Sequence, residues 1–230
     1  MRLVPSLLGV IAAFGASGLA AAQNLEVLPP NPVARSEISL QAPPVQTPYI
    51  ASDHICLGSL AEAGAQFESL GRYEGDGRCG IDDAVSVASI NGVTLQPSAV
   101  LTCTTALDLT TFLSGPMTRL SRHYFGSRPA TVFVAASYAC RGRNNVPGAR
   151  MSEHAFGRAV DIRAITLENE ATWSVQPASD QPNDAARAFQ TALREAGCGP
   201  FNTVLGPGSD GHHTDHIHFD SAVRSSTYCR

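Results

Sequence analysis

The chain has 230 residues, 43% of them hydrophobic and 16% charged, with 16 basic side chains against 20 acidic ones and a net charge of −4. That length and balance suit a folded core in one principal domain and not a disordered chain. The mild acidity excludes an electrostatic nucleic-acid binder, which needs a basic stripe, and the absence of lysine removes Walker-type phosphate clamps and Schiff-base chemistry.

Residues 1–22 carry Arg2, an apolar stretch from Leu7 to Phe14 and small residues at Ala20, Ala21 and Ala22. This is the pattern of a cleavable secretory signal. The apolar stretch is shorter than the ~20 residues a bilayer crossing needs, so no membrane span is expected after cleavage. The expected product starts at Gln23 and is periplasmic or secreted. Residues 23–50 hold six of the fifteen prolines and no glycine, which predicts an extended spacer or surface arm. The domain is expected over residues 51–230.

Within it, Ala84–Ile90 and Val93–Leu95 are β-prone and flank Asn91-Gly92, a dipeptide suited to the positive φ angles of a two-residue hairpin turn. From Thr104 to Tyr124, apolar residues recur at near-helical spacing, with Pro116 as a kink and Gly126 as a stop. Thr131–Tyr138 predicts a strand, followed by a polar loop from Arg141 to Arg150. Asn183 or Asp184 caps a predicted helix ending at Gly197, and Phe201–Leu205 and His216–Phe219 predict short strands. Helices and strands do not alternate as in βαβ units, so the expected class is α+β with a largely antiparallel sheet flanked by helices.

The six cysteines, Cys56, Cys79, Cys103, Cys140, Cys198 and Cys229, are separated by at least 22 residues, which forbids a CxxC clamp. An even count in an exported chain predicts structural disulfides, with 15 possible pairings.

Five of the seven histidines fall in two segments: His154, within Ser152 to Asp161, and His212, His213, His216 and His218. On a strand, His216 and His218 share a face and can approach one centre. A cation such as Zn²⁺ takes imidazole nitrogen and carboxylate oxygen, and His154, Asp161 and His218 supply such a set with a position left open. His54, His123, His212 and His213 have no partner inferable from sequence and read as ordinary polar residues.

Ser152, His154, Gly157, Ala159 and Asp161, followed by His216 and His218, resemble the zinc signature of the D-alanyl-D-alanine carboxypeptidase, lysostaphin and hedgehog superfamily. More closely, Ser137 to Arg143, the segment Ser152–Ile162, the Leu205–Asp210 loop and the terminal Tyr228-Cys229-Arg230 resemble the bacterial extensin-like C-terminal domain family, over about Ile55 to Arg230. The resemblance implies a disulfide-stabilised, hedgehog- or carboxypeptidase-like α+β fold. It implies Zn²⁺ held by His154, Asp161 and His218, with Ser152 and His216 beside it. It also implies an arginine for a substrate carbonyl or carboxylate, with Arg141 first and Arg143 in reserve. The family glutamate that acts as general base stands here as Asp215, one methylene shorter, with His216 and Arg141 as oxyanion donors. The expected function is an exported zinc peptidase or amidase acting on a cell-wall peptide or polymer. The alternative is a non-catalytic, zinc-stabilised binding domain. A non-haem iron site uses the same ligand types and ranks behind both. Serine catalysis lacks a G-x-S-x-G elbow, and no carboxylate pair stands out for glycosidase chemistry.

Overall fold

The computed structural model describes residues 49–230. The expected leader and the expected spacer as far as residue 48 lie outside the described residues. Helix α1 (Tyr49–Glu62) begins just inside the expected spacer and leads into strands β1 (Ala65–Glu74), β2 (Gly80–Ile90) and β3 (Val93–Thr102). The Asn91-Gly92 turn forms as expected: φ is 48° and 83° at the two residues, and Ile90 faces Val93 across the ladder.

Thr102 ends β3 and caps the next helix, its hydroxyl accepting from the Thr105 N–H. The predicted long helix is built as α2 (Cys103–Phe112), a π-helical turn (Leu113–Met117) containing Pro116, and α3 (Thr118–Phe125). A proline lacks the N–H for an i−4 bond, and the widened turn absorbs that loss without breaking the axis. Gly126 closes α3 at φ 67°, as the stop signal requires. Strand β4 (Pro129–Ala136) follows, then β5 (Ala159–Leu167), β6 (Thr172–Ser174), α4 (Asp184–Gly197), β7 (Thr203–Leu205), β8 (Ile217–Asp220) and β9 (Tyr228–Cys229). Asn183, not Asp184, caps α4, its side chain accepting from the Ala186 N–H at 2.9 Å.

Among the described residues, all nine strands join one sheet in the order β1-β2-β3-β4-β5-β8-β7-β9, with β6 on the second half of β5. The α+β class holds, but the expected antiparallel sheet is corrected to a mixed one. The pairs β3–β4 and β7–β9 run parallel and the other six pairings are antiparallel. The physical reason lies in the connection: parallel neighbours need a crossover of a dozen or more residues, and the segment from α2 through α3 is such a crossover between β3 and β4.

The alternation of β8 sets the geometry of the whole site. Ile217 and Phe219 point into the apolar core, where Phe219 stacks with Phe112 and Phe201 at centroid distances of 4.9 and 5.1 Å. His218 and Asp220 therefore point to the opposite face. Phe189 of α4 extends the core through Trp173 and Phe125, each at 4.8 Å.

All six cysteines pair, as Cys56–Cys103, Cys79–Cys140 and Cys198–Cys229. The first ties α1 to α2, the second ties the β1–β2 turn to the loop carrying Arg141, and the third ties the end of α4 to β9. Such bridges persist in oxidising compartments. Among the described residues, no helix is long and apolar enough to cross a membrane.

Candidate metal centre

The floor of the site is a patch of sheet three strands wide. Asp161 of β5 faces His218 of β8, which faces Leu205 of β7; one row along, Ala159 faces Asp220, which faces Thr203. His154 comes from elsewhere. It sits on a 3₁₀ turn (Glu153–Phe156) directly before β5, capped by Ser152, whose hydroxyl accepts from the His154 N–H at 3.4 Å.

Gly157 makes this turn possible. Its φ is 64°, and a Cβ there would lie 2.3 Å from Ile81 Cδ1 and 3.0 Å from the Thr102 nitrogen. Its carbonyl accepts from Thr102 N–H at 2.8 Å, which pins the turn to the end of β3. Only glycine satisfies both the left-handed angle and the close approach.

The three sequence-predicted ligands converge. His154 Nε2 lies 3.1 Å from Asp161 Oδ2 and 3.2 Å from His218 Nδ1, and His218 Nδ1 lies 2.8 Å from Asp161 Oδ1. All three residues are buried, at 1%, 3% and 9% exposure. Tetrahedral ligands ~2.0–2.2 Å from a common ion are themselves ~3.3–3.6 Å apart, so a cation fits among these atoms with small adjustments. His154 Nδ1 is 2.6 Å from the Ser137 carbonyl oxygen. A carbonyl only accepts, so Nδ1 carries a hydrogen and Nε2 is the nitrogen left to offer a lone pair to a bound cation.

Burial favours neutral Asp161, but hydrogen bonds and charge from His154 and His218 outweigh it and hold the carboxyl well below the usual range. Burial likewise disfavours the His218 imidazolium, yet the carboxylates of Asp161 and Asp220 outweigh it and raise the pKa to about 9.

The triad opens into a cleft of about 550 Å³. Arg141 lines it, half-buried and without an ion pair among the described residues. Arg143 also lines it but is engaged with Glu153 at 3.6 Å. His216 stands at the threshold of β8, with Nε2 3.7 Å from Asp161 Oδ2 and Nδ1 2.9 Å from Asp215 Oδ1. The Asp215 side chain is 86% exposed, and its carboxylate faces the outer nitrogen of that ring.

His213, read from sequence as an ordinary polar residue, lies in the cleft wall with its ring 5.2 Å from His216 and 5.7 Å from His218. Its Nδ1 donates to Asp210 Oδ1 at 2.7 Å, and burial is the main cause of its lowered pKa. The aspartate three residues earlier was the available sequence signal. His212 is exposed at the cleft rim, while His54 and His123 are exposed and line no part of the cleft.

The family described as Extensin-like protein C-terminus matches residues 54–230. Among curated proteins and solved structures, no match is found. The matched span takes in the whole sheet, the three disulfides and the convergent histidines and aspartate, and the chain belongs to the extensin-like C-terminal family.

Proposed function

We propose that this protein is an exported, zinc-dependent hydrolase that cuts peptide or amide bonds in cell-wall material, and that it is related to the D-alanyl-D-alanine carboxypeptidase, lysostaphin and hedgehog superfamily. The carrying observation is the convergence of His154 Nε2, His218 Nδ1 and the Asp161 carboxylate within 3.2 Å of one another, in a buried corner of an open cleft. The donor set of two imidazoles and one carboxylate, with Nε2 of His154 turned toward the cluster and its Nδ1 engaged by the Ser137 carbonyl, suits Zn²⁺. The three disulfides support an oxidising compartment, periplasmic or extracellular.

Bound zinc would supply Lewis acidity toward a substrate carbonyl and make water a nucleophile near neutral pH. The protein's own groups supply the rest. His216 Nε2 faces the triad and accepts the proton of the attacking water, then returns it to the leaving amine. Asp215 acts through this ring, accepting its Nδ1–H and holding its orientation. Arg141, whose side chain makes no ion pair among the described residues, binds the carbonyl or carboxylate of the substrate. This differs from direct proton transfer to Asp215, whose exposed carboxylate faces the far side of His216.

The test is digestion of purified peptidoglycan, with mass spectrometry of the released stem peptides. The wild type should release products. His216→Ala should lower the rate by ~10²-fold or more, in the range for loss of a positioned base, and Asp215→Ala by less. Unchanged rates in both variants would remove this pair from the mechanism. A non-catalytic, zinc-stabilised wall- or protein-binding domain is the second reading, favoured by the outward placement of Asp215. A wild-type protein that holds zinc, retains wall polymer and releases nothing would establish it.

A further inference from the structure

Asp220 is only 2% exposed and lies one row from the triad on the floor of the cleft. A buried carboxylate is costly unless paired and hydrogen-bonded. Asp220 Oδ1 accepts from the Ala222 N–H at 2.7 Å, and Oδ2 accepts from Arg224 Nη2 at 2.5 Å. The same Oδ2 lies 3.7 Å from His218 Nε2, the ring nitrogen that faces away from the triad. Arg224 Nη2 in turn reaches Glu153 Oε1 at 3.5 Å, and Glu153 is the residue before His154.

We propose that Asp220 and Arg224 are positioning residues of the metal centre, a charged clasp joining the segments that carry its two imidazoles. The inference rests on the reading of His154, Asp161 and His218 as ligands. The reasoning is one of tautomers. When His218 gives the Nδ1 lone pair to a cation, its remaining N–H is on Nε2, and Asp220 is the carboxylate facing that N–H. A carboxylate there fixes the rotation of the ring and raises its basicity. Arg224 is needed because Asp161 and Asp220 put two carboxylates around one imidazole, and its guanidinium balances the second. Its contact with Glu153 carries the linkage across to the His154 turn, so both imidazole-bearing segments are held by one chain of charges.

The experiment is metal titration of the full-length domain with its disulfides intact, using Co²⁺ and Zn²⁺ in competition with a chromophoric chelator. Asp220→Asn preserves size and an acceptor for the Ala222 N–H while removing the charge. It should weaken Zn²⁺ binding by ~10–100-fold, the usual range for loss of such a partner, and should alter the d–d absorption of the Co²⁺ form. Arg224→Gln, at a side chain 28% exposed, should weaken binding in the same direction, with Arg224→Lys recovering most of it. Asn183→Ala serves as control: it lowers Tm through the distant cap of α4 and should leave metal affinity unchanged.

Wild-type affinity and an unaltered Co²⁺ spectrum in Asp220→Asn would overturn the clasp while leaving the metal centre standing. Should Asp220→Asn fail to fold, Arg224→Gln decides alone, and wild-type affinity there would overturn it. A wild-type protein that binds neither ion would overturn the metal centre, and the clasp with it.

Discussion

At the scale of single residues, the spacing of the histidine motif has specific physical causes. Gly157 is fixed by a positive φ and by Ile81 and the β3 backbone pressing on the place a side chain would occupy. Gly157→Ala should destabilise the fold by ~1–3 kcal/mol, the cost of an L-residue held in such a conformation, and should weaken metal binding because it displaces the His154 turn. Chemical denaturation and metal titration of the same variant check both. The His218 proton gives a second residue-scale prediction. The carboxylates of Asp161 and Asp220 overcome burial and raise the His218 pKa to about 9, so below that pH a proton must leave before a cation can bind. Zn²⁺ affinity should therefore rise about tenfold per unit between about pH 6 and pH 8, with close to one proton released per ion. Calorimetry in buffers of different ionisation enthalpy measures this, and a pH-independent affinity would contradict it.

The candidate ligands were legible because their spacing survives in one dimension: His154 and Asp161 flank a turn, and His218 follows His216 at strand spacing. Asp220 and Arg224 were not legible as partners, since their relation to His218 and Glu153 depends on strand register and on the path of the chain after β8. His213 has its ring neighbours set by a loop with no periodicity, so only the aspartate three residues earlier marks it in the sequence.

At the scale of elements, local signals did well where the chemistry is local. The Asn91-Gly92 turn, the Gly126 stop and the cap at Asn183 appear where turn and capping preferences put them. Asn183→Ala should cost about 1 kcal/mol, the usual value for a lost N-cap, read as a lower denaturation midpoint. Strand β5 escaped the sequence reading although it carries Asp161. It is buried along most of its length, so it lacks the polar-apolar alternation that marks a one-sided strand. Strand β1 has the opposite profile, exposed at most positions, and Leu-Gly interrupts its pattern. The core face of β8 supplies a further check. Phe219→Ala should lose ~3–5 kcal/mol, as large-to-small core changes do, and because Phe219 sits between His218 and Asp220 in the chain, metal binding should weaken with it.

At the scale of the whole molecule, the α+β class and the disulfide count followed from composition and element order. The cysteine pairing and the mixed sheet did not, because both depend on which distant segments become neighbours. The Cys56–Cys103 bridge closes a sequence separation of 47 residues. Replacing both cysteines with serine should cost ~2–5 kcal/mol, the usual penalty for a lost native bridge, measured by chemical denaturation under non-reducing conditions. The Cys79–Cys140 bridge stands directly before Arg141, so under the proposed function its removal should raise KM on peptidoglycan fragments more than it lowers kcat.

In the proposed function, every step depends on one cation held jointly by His154, Asp161 and His218. Elemental analysis by mass spectrometry on protein purified from an exported source, without added metal, tests that dependence most directly when wild type is set beside His154→Ala, Asp161→Asn and His218→Ala. Close to one zinc per wild-type chain, with loss in each folded variant, is the predicted result. A wild type without stoichiometric metal, or variants that all retain it, would contradict the account.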